Sequence, residues 1–78
     1  MSDAANRLLR CFRAVFPQLG SDEISRASLD TVAQWDSVAS VRLIAVIEEE
    51  FELLIPTEDY EAMHSFDAIH SYLSKRIA

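Results

Sequence analysis

The sequence predicts an all-α fold: a small antiparallel bundle of three main helices plus one short helix, with a long loop between the first two. Three observations carry this expectation. Glycine occurs once and proline twice, so little in the chain interrupts a helix. Apolar residues recur at three- and four-residue spacing in the N-terminal, central and C-terminal stretches. Half of the 78 residues are apolar, enough for one compact core and one domain, read as 1–78.

The elements follow in order. Residues 3–16 place Ala5, Leu8, Leu9, Phe12, Val15 and Phe16 on one helical stripe, started by Ser2 or Asp3 and ended by Pro17 and Gly20. Residues 17–36 are long for a helix connection. Within them "SDEIS" is expected to form one turn, and Leu29, Val32 and Trp35 to pin the loop to the core. The next helix runs from Ser37 to Phe51 or Glu52, with Asp36 and Ser37 both of N-cap type. "LLIP" then makes a short apolar loop closed by Pro56. Thr57 is expected to cap a brief helix carrying Glu58, Asp59 and Glu61 in its first turns. Ser65 caps the last helix, where Phe66, Ile69, Leu73 and Ile77 face inward. Lys75 and Arg76 sit at its end, where the helix dipole favours positive charge.

At about 100° per residue, Val41, Leu43, Ile44, Ile47 and Phe51 gather on the inward side of the central helix. The opposite side carries Val38, Ala39, Arg42, Ala45, Val46 and Glu49. Single exposed valines are ordinary, but Val38 and Val46 are neighbours on one charged-flanked face, which suggests a contact patch. Glu48, Glu49, Glu50 and Glu52 crowd the helix's C-terminal end, where each negative charge is disfavoured by about 0.3–1 kcal/mol. A local rule broken without evident structural benefit points to function.

The formal net charge of −6 argues against nucleic-acid binding, which needs a basic face. No Lys or Arg lies between Leu43 and Ser74, while Arg7, Arg10 and Arg13 form one stripe near the N-terminus. An acidic run of this kind is either a solvated surface or a docking surface for basic partners. The single cysteine, Cys11, excludes an internal disulfide, and no Cys/His cluster suggests a metal. No apolar run reaches the length of a membrane span, and the N-terminus lacks a signal-peptide core, so a soluble, cytoplasmic protein without a membrane span is expected. His64 and His70 have no orienting carboxylate at a recognisable spacing, so no catalytic residue is assigned. Ser37 is a poor nucleophile alone. At a helix start it is either a cap or a favourable place to carry a phosphate, put there by another enzyme.

The stretch "DSVASVRLIAVIEEEFELLIP" resembles the acyl carrier protein family, whose signature is Asp-Ser followed by an apolar residue, a helix, an acidic Glu-Glu-x-Phe segment and Ile-Pro. Asp36, Ser37, Val38, Val41, Leu43, Ile47, Glu48, Glu49, Phe51, Ile55 and Pro56 fall into that register without a gap. "FDAIHSYL" resembles the family's last helix, so the likeness spans nearly the whole domain and implies its four-helix bundle. The resemblance implies a carrier, not an enzyme. A phosphopantetheinyl transferase would move 4'-phosphopantetheine from coenzyme A onto Ser37, making the chain a phosphoprotein whose arm holds the acyl group as a thioester. Asp36 would belong to the surface the transferase reads. Val38, Ala39, Arg42, Ala45, Val46 and Glu49 would dock successive acyl-loading and acyl-using enzymes. Val41, Ile44, Ile55 and Tyr60 or Met63 would shelter an acyl chain or serve simply as core. A monomer is expected.

The chain also departs from housekeeping fatty-acid carriers. Those have a glycine shortly before Asp-Ser and acidic residues two and five positions after the serine, where this chain has Ala39 and Arg42. A docking face altered this way implies other partners. The Trp-Asp-Ser form resembles discrete, specialised carriers dedicated to one pathway, with a particular acyl chain, a polyketide intermediate or an amino acid as load. Two other readings stay open: an aminoacyl or peptidyl carrier of a nonribosomal or D-alanyl transfer system, and a carrier-like interaction subunit that is never modified.

Overall fold

A computed structural model describes residues 3–77, with the side chain of Ile77 excepted. Helix α1 spans Asp3–Val15, α2 Ser21–Ser25, α3 Ser37–Phe51 and α4 Phe66–Ile77, with a 3₁₀ helix at Thr57–Ala62 between the last two. The predicted all-α architecture and long first loop are present, and the described residues contain no strand. The expected starting role of Ser2 and the inward position of Ile77 lie outside the described residues.

The core follows from the helical stripes. Leu8, Phe12, Phe16, Ile24, Leu43, Ile47, Ile69 and Leu73 are fully buried. Helix α1 packs most extensively against α3, and its inner edge is set by Ala4 and Cys11 rather than by Ala5, which is half-buried. Phe12 lies at its centre, edge-on to Trp35 at 5.4 Å and tilted against Phe66 at the same separation. Contacts of this kind add about 0.5–1.5 kcal/mol each beyond their buried area.

That aromatic cluster holds the end of the long loop. Trp35 is buried between Phe12 and Phe16, directly before Asp36 and Ser37. The loop's backbone is anchored at its other side, where Phe66 N–H donates to the Ala27 carbonyl and Leu29 N–H to the His64 carbonyl, each at 3.0 Å. These bonds satisfy the Leu29 backbone while its side chain stays exposed. The expectation that Leu29 pins the loop through its side chain is therefore corrected. Val32 and Trp35 do so, buried as expected.

The capping expectations divide in the same way. Ser65 Oγ accepts from Ala68 N–H at 3.0 Å and starts α4 as predicted. Thr57 makes no cap: Pro56 holds the N-cap position of the 3₁₀ helix, and its carbonyl accepts from Asp59 N–H at 2.9 Å. Thr57 is instead the first residue of the 3₁₀ helix, which begins without a side-chain cap.

Candidate functional site

Ser37 is the first residue of α3, and the residue before it makes the cap. Asp36 Oδ1 accepts from Ala39 N–H at 2.9 Å, and its carbonyl accepts from Ser40 N–H at 2.9 Å. The serine is thereby freed from capping. It is exposed, and among the described residues its hydroxyl has no hydrogen-bond partner. The N–H groups of Ser37 and Val38 likewise have no acceptor there, as expected of the first turn of a helix. The hydroxyl is thus exposed beside two open N–H donors, on a loop end fixed by Trp35. Among the described residues no His, Asp or Glu side chain bonds to it: His64 is exposed after the 3₁₀ helix, and His70 lies on α4, stacked on Phe66.

The outward face of α3 is rotated from the expected one. Val41 was placed inward by periodicity but is 59% exposed, next to Val38 at 66%. Ala39 was placed outward and is buried, and Val46 is half-buried against the core. Arg42, Ala45 and Glu49 are exposed as expected. The exposed residues of α3 thus run from Ser37 and Val38 through Val41, Arg42 and Ala45 to Glu49, roughly 50° round the helix from the predicted centre. The shift has a physical cause. Apolar residues occur almost all round α3, so spacing alone leaves its phase loosely defined. Ala39 belongs to the buried cluster.

The C-terminal end of α3 also reads differently in three dimensions. Arg7 Nε donates to Glu50 Oε2 at 3.0 Å, Arg7 Nη2 donates to the Glu50 carbonyl at 2.6 Å, and the guanidinium lies over the Phe51 ring. Arg10 stands 3.7 Å from the same carboxylate. Glu48 Oε2 accepts from Ile55 N–H at 2.8 Å and ties down the following loop. Two of the four glutamates therefore have structural work, which corrects the reading that the group lacks structural benefit. Glu49 and Glu52 remain exposed. With Ala45, Glu48, Leu53 and Leu54 they line an open groove of about 540 Å³, and Leu54 is 78% exposed beside it. The sequence reading treated "LLIP" only as a loop and missed this apolar projection.

The remaining candidates are accounted for by the core. Ile44, Ile55 and Met63 are buried, and Tyr60 is half-buried against them. Cys11 is buried, and burial, reinforced by Glu50 and opposed by Arg10 and Arg7, pushes its thiol up to about 11. It stays protonated at neutral pH and is no nucleophile. Among the described residues no group of three or more His, Cys, Asp or Glu is placed to hold a metal, and no helix is long and apolar enough to cross a membrane.

No family model matches the chain. Over 41 residues it is 44% identical to an acyl carrier protein of Bdellovibrio bacteriovorus. That match covers 53% of this chain and 53% of that protein, so the chain spans about half the length of the curated relative. The similarity and the helical bundle agree with a carrier, and neither requires a catalytic constellation.

Proposed function

We propose that this domain is an acyl carrier, modified on Ser37 with 4'-phosphopantetheine from coenzyme A and serving a dedicated set of partner enzymes. The observation that carries the reading is the division of labour at the α3 N-terminus. Asp36 caps the helix, Trp35 anchors the loop, and Ser37 is left exposed with an unpartnered hydroxyl. The similarity to a curated acyl carrier protein supports the same conclusion.

The residues present fit the group. A phosphodiester on the Ser37 oxygen would lie beside the open N–H donors of Ser37 and Val38, at the positive end of the α3 dipole. Arg42, the only Lys or Arg between Arg26 and Lys75, adds a cation on the same helix. When bound, the group supplies a thiol that holds an acyl load as a thioester. The chain's own residues hold the attachment point still and present α3 to partners. Their docking surface is Val38, Val41, Arg42, Ala45 and Glu49, continued by Glu52 and Leu54. Its apolar middle and acidic far end suit partners with an apolar patch next to basic residues, and Arg42 calls for an acidic group near the serine. This charge arrangement supports a specialised carrier over a housekeeping one.

Incubation with coenzyme A and a promiscuous phosphopantetheinyl transferase, followed by an intact mass, tests the reading. The expected result is the addition of one phosphopantetheinyl group, absent in Ser37→Ala. An unchanged mass with several transferases overturns it in favour of an unmodified interaction subunit. Arg42→Glu is expected to speed modification by a transferase that serves an acidic-faced housekeeping carrier. No change in rate would remove the charge argument for dedicated partners.

A further inference from the structure

Next to Ser37, on the side away from the α3 C-terminal groove, the surface dips between the end of α1 and the start of α3. The depression holds about 290 Å³, room for about ten water molecules at about 30 Å³ each. Its apolar side comes from Val15, Val38 and Ala39 with Phe16 buried behind them, and its polar rim from Gln18, Gln34, Asp36 and Arg42. Two primary amides, a guanidinium and an apolar wall therefore meet beside Asp36 and Val38, the two residues that flank Ser37. Nothing in the packing requires the amides, since Gln18 and Gln34 are both exposed.

We propose that this depression is a resting cradle for the prosthetic arm, an inference that rests on the carrier reading above. The match is chemical. A pantetheine chain alternates amide groups with short apolar stretches. Gln18 and Gln34 each offer a carbonyl acceptor and an N–H₂ donor, so each can pair with either end of an amide. Val15 and Val38 offer the apolar surface between them. Arg42, on the same rim as Asp36, supplies a cation that would draw the phosphate end and counter the Asp36 charge. The larger groove at the other end of α3 is a poorer first resting place. It begins at Ala45 and centres on Glu48 to Leu54, roughly 16 Å along the helix axis from Ser37, and three carboxylates line it. The cradle would keep the arm ordered against its own carrier until a partner covers the α3 face.

The test is nuclear magnetic resonance on ¹⁵N,¹³C-labelled protein before and after modification, with complete modification verified by intact mass. Cross-relaxation is expected between the arm's methyl and methylene protons and Val15, Phe16 and the side-chain N–H₂ groups of Gln18 and Gln34. The same groups are expected to shift on modification. The double variant Gln18→Ala/Gln34→Ala is expected to reach the same mass and lose these contacts, and Ser37→Ala treated identically is expected to show no shift. A fully modified protein whose shifts stay within residues 36–40, or move to Ala45 and Leu54, overturns the cradle and leaves the carrier reading standing. A protein that gains no mass overturns both.

Discussion

Asp36 caps α3, and the proposed function gives it a second role that substitution can separate from the first. Its carboxylate accepts the Ala39 N–H at 2.9 Å, and its charge sits at the positive end of the 15-residue α3. Loss of an Asp cap to alanine costs about 0.5–2 kcal/mol, of which the charge–dipole part is about 0.3–1 kcal/mol. Because the bond is short and only partly exposed, Asp36→Ala is placed at about 1–2 kcal/mol. Asp36→Asn keeps an oxygen acceptor and loses only the charge, so about 0.3–1 kcal/mol is expected. Against a total stability of roughly 4–12 kcal/mol for a chain of this size, both variants remain folded. The alanine variant should melt lower by about 4–8 °C per kcal/mol. Urea unfolding followed through Trp35 fluorescence reads this directly, since Trp35 is the single tryptophan and is buried against Phe12 and Phe16. The rate of modification, followed by intact mass, reads the second role. If the transferase recognises the charge, the two variants are slowed alike although their stabilities differ. An asparagine variant modified at the wild-type rate would leave Asp36 a cap alone, and an alanine variant as stable as the wild type would refute the cap.

Three further outcomes follow from the packing. Glu52 ends α3 with φ 55°, in the left-handed region, so Glu52→Gly should raise stability by about 0.5–1 kcal/mol with an unchanged urea m-value. Arg7→Ala should cost about 1–2 kcal/mol, since it removes the bonds to Glu50 and the cover over Phe51, discounted for partial exposure. A double-mutant cycle with Glu50→Gln measures the coupling, which the geometry requires to be non-zero. Finally, the raised pKa of Cys11 means the unfolded chain loses the thiol proton near pH 9.0 and the folded chain only near 11. Its contribution is intact below pH 9 and is lost as pH rises towards 11, by about 2–3 kcal/mol, so Cys11→Ala should flatten the stability profile across that window.

How much of this was legible in the sequence varied with the kind of signal. Caps and stripes were readable where one physical requirement acted alone. The helix bounds around Ser37, the Ser65 cap and the buried Phe12, Trp35, Phe66 and Ile69 needed only periodicity and an oxygen-bearing side chain. Phase was not readable in α3, because valine, alanine and isoleucine on nearly every side give no strong amphipathic direction. Tertiary contact with α1 and the loop end decided that Ala39 turns inward and Val41 outward. Partners distant in the chain were equally invisible. Arg7 and Glu50 are separated by 43 residues, and nothing local to either announces the pair. Leu29 is the mirror case: an apolar residue that a linear reading assigns to the core, yet whose backbone position leaves the side chain in solvent.

The placement of charge on α3 bears on what a partner meets. A cluster of four glutamates at one helix end looked like a single feature, but the structure divides it. Glu50 is paired with Arg7 and Arg10, whereas Glu48 accepts the Ile55 N–H and keeps its charge in a half-buried position. Glu49 and Glu52 are the ones left outward, flanking Ala45 and Leu54. The helix dipole disfavours both, and no bond to them offsets that cost. The fully exposed carboxylates at this end are therefore Glu49 and Glu52, joined to an exposed leucine and opposed by Arg42 nearer Ser37. A surface of this polarity orients a partner along α3 as well as attracting it, because reversing the partner would set like charges together at both ends. Under the proposed carrier function orientation matters most, because Ser37, the proposed attachment point, lies at one end of the helix proposed to be recognised.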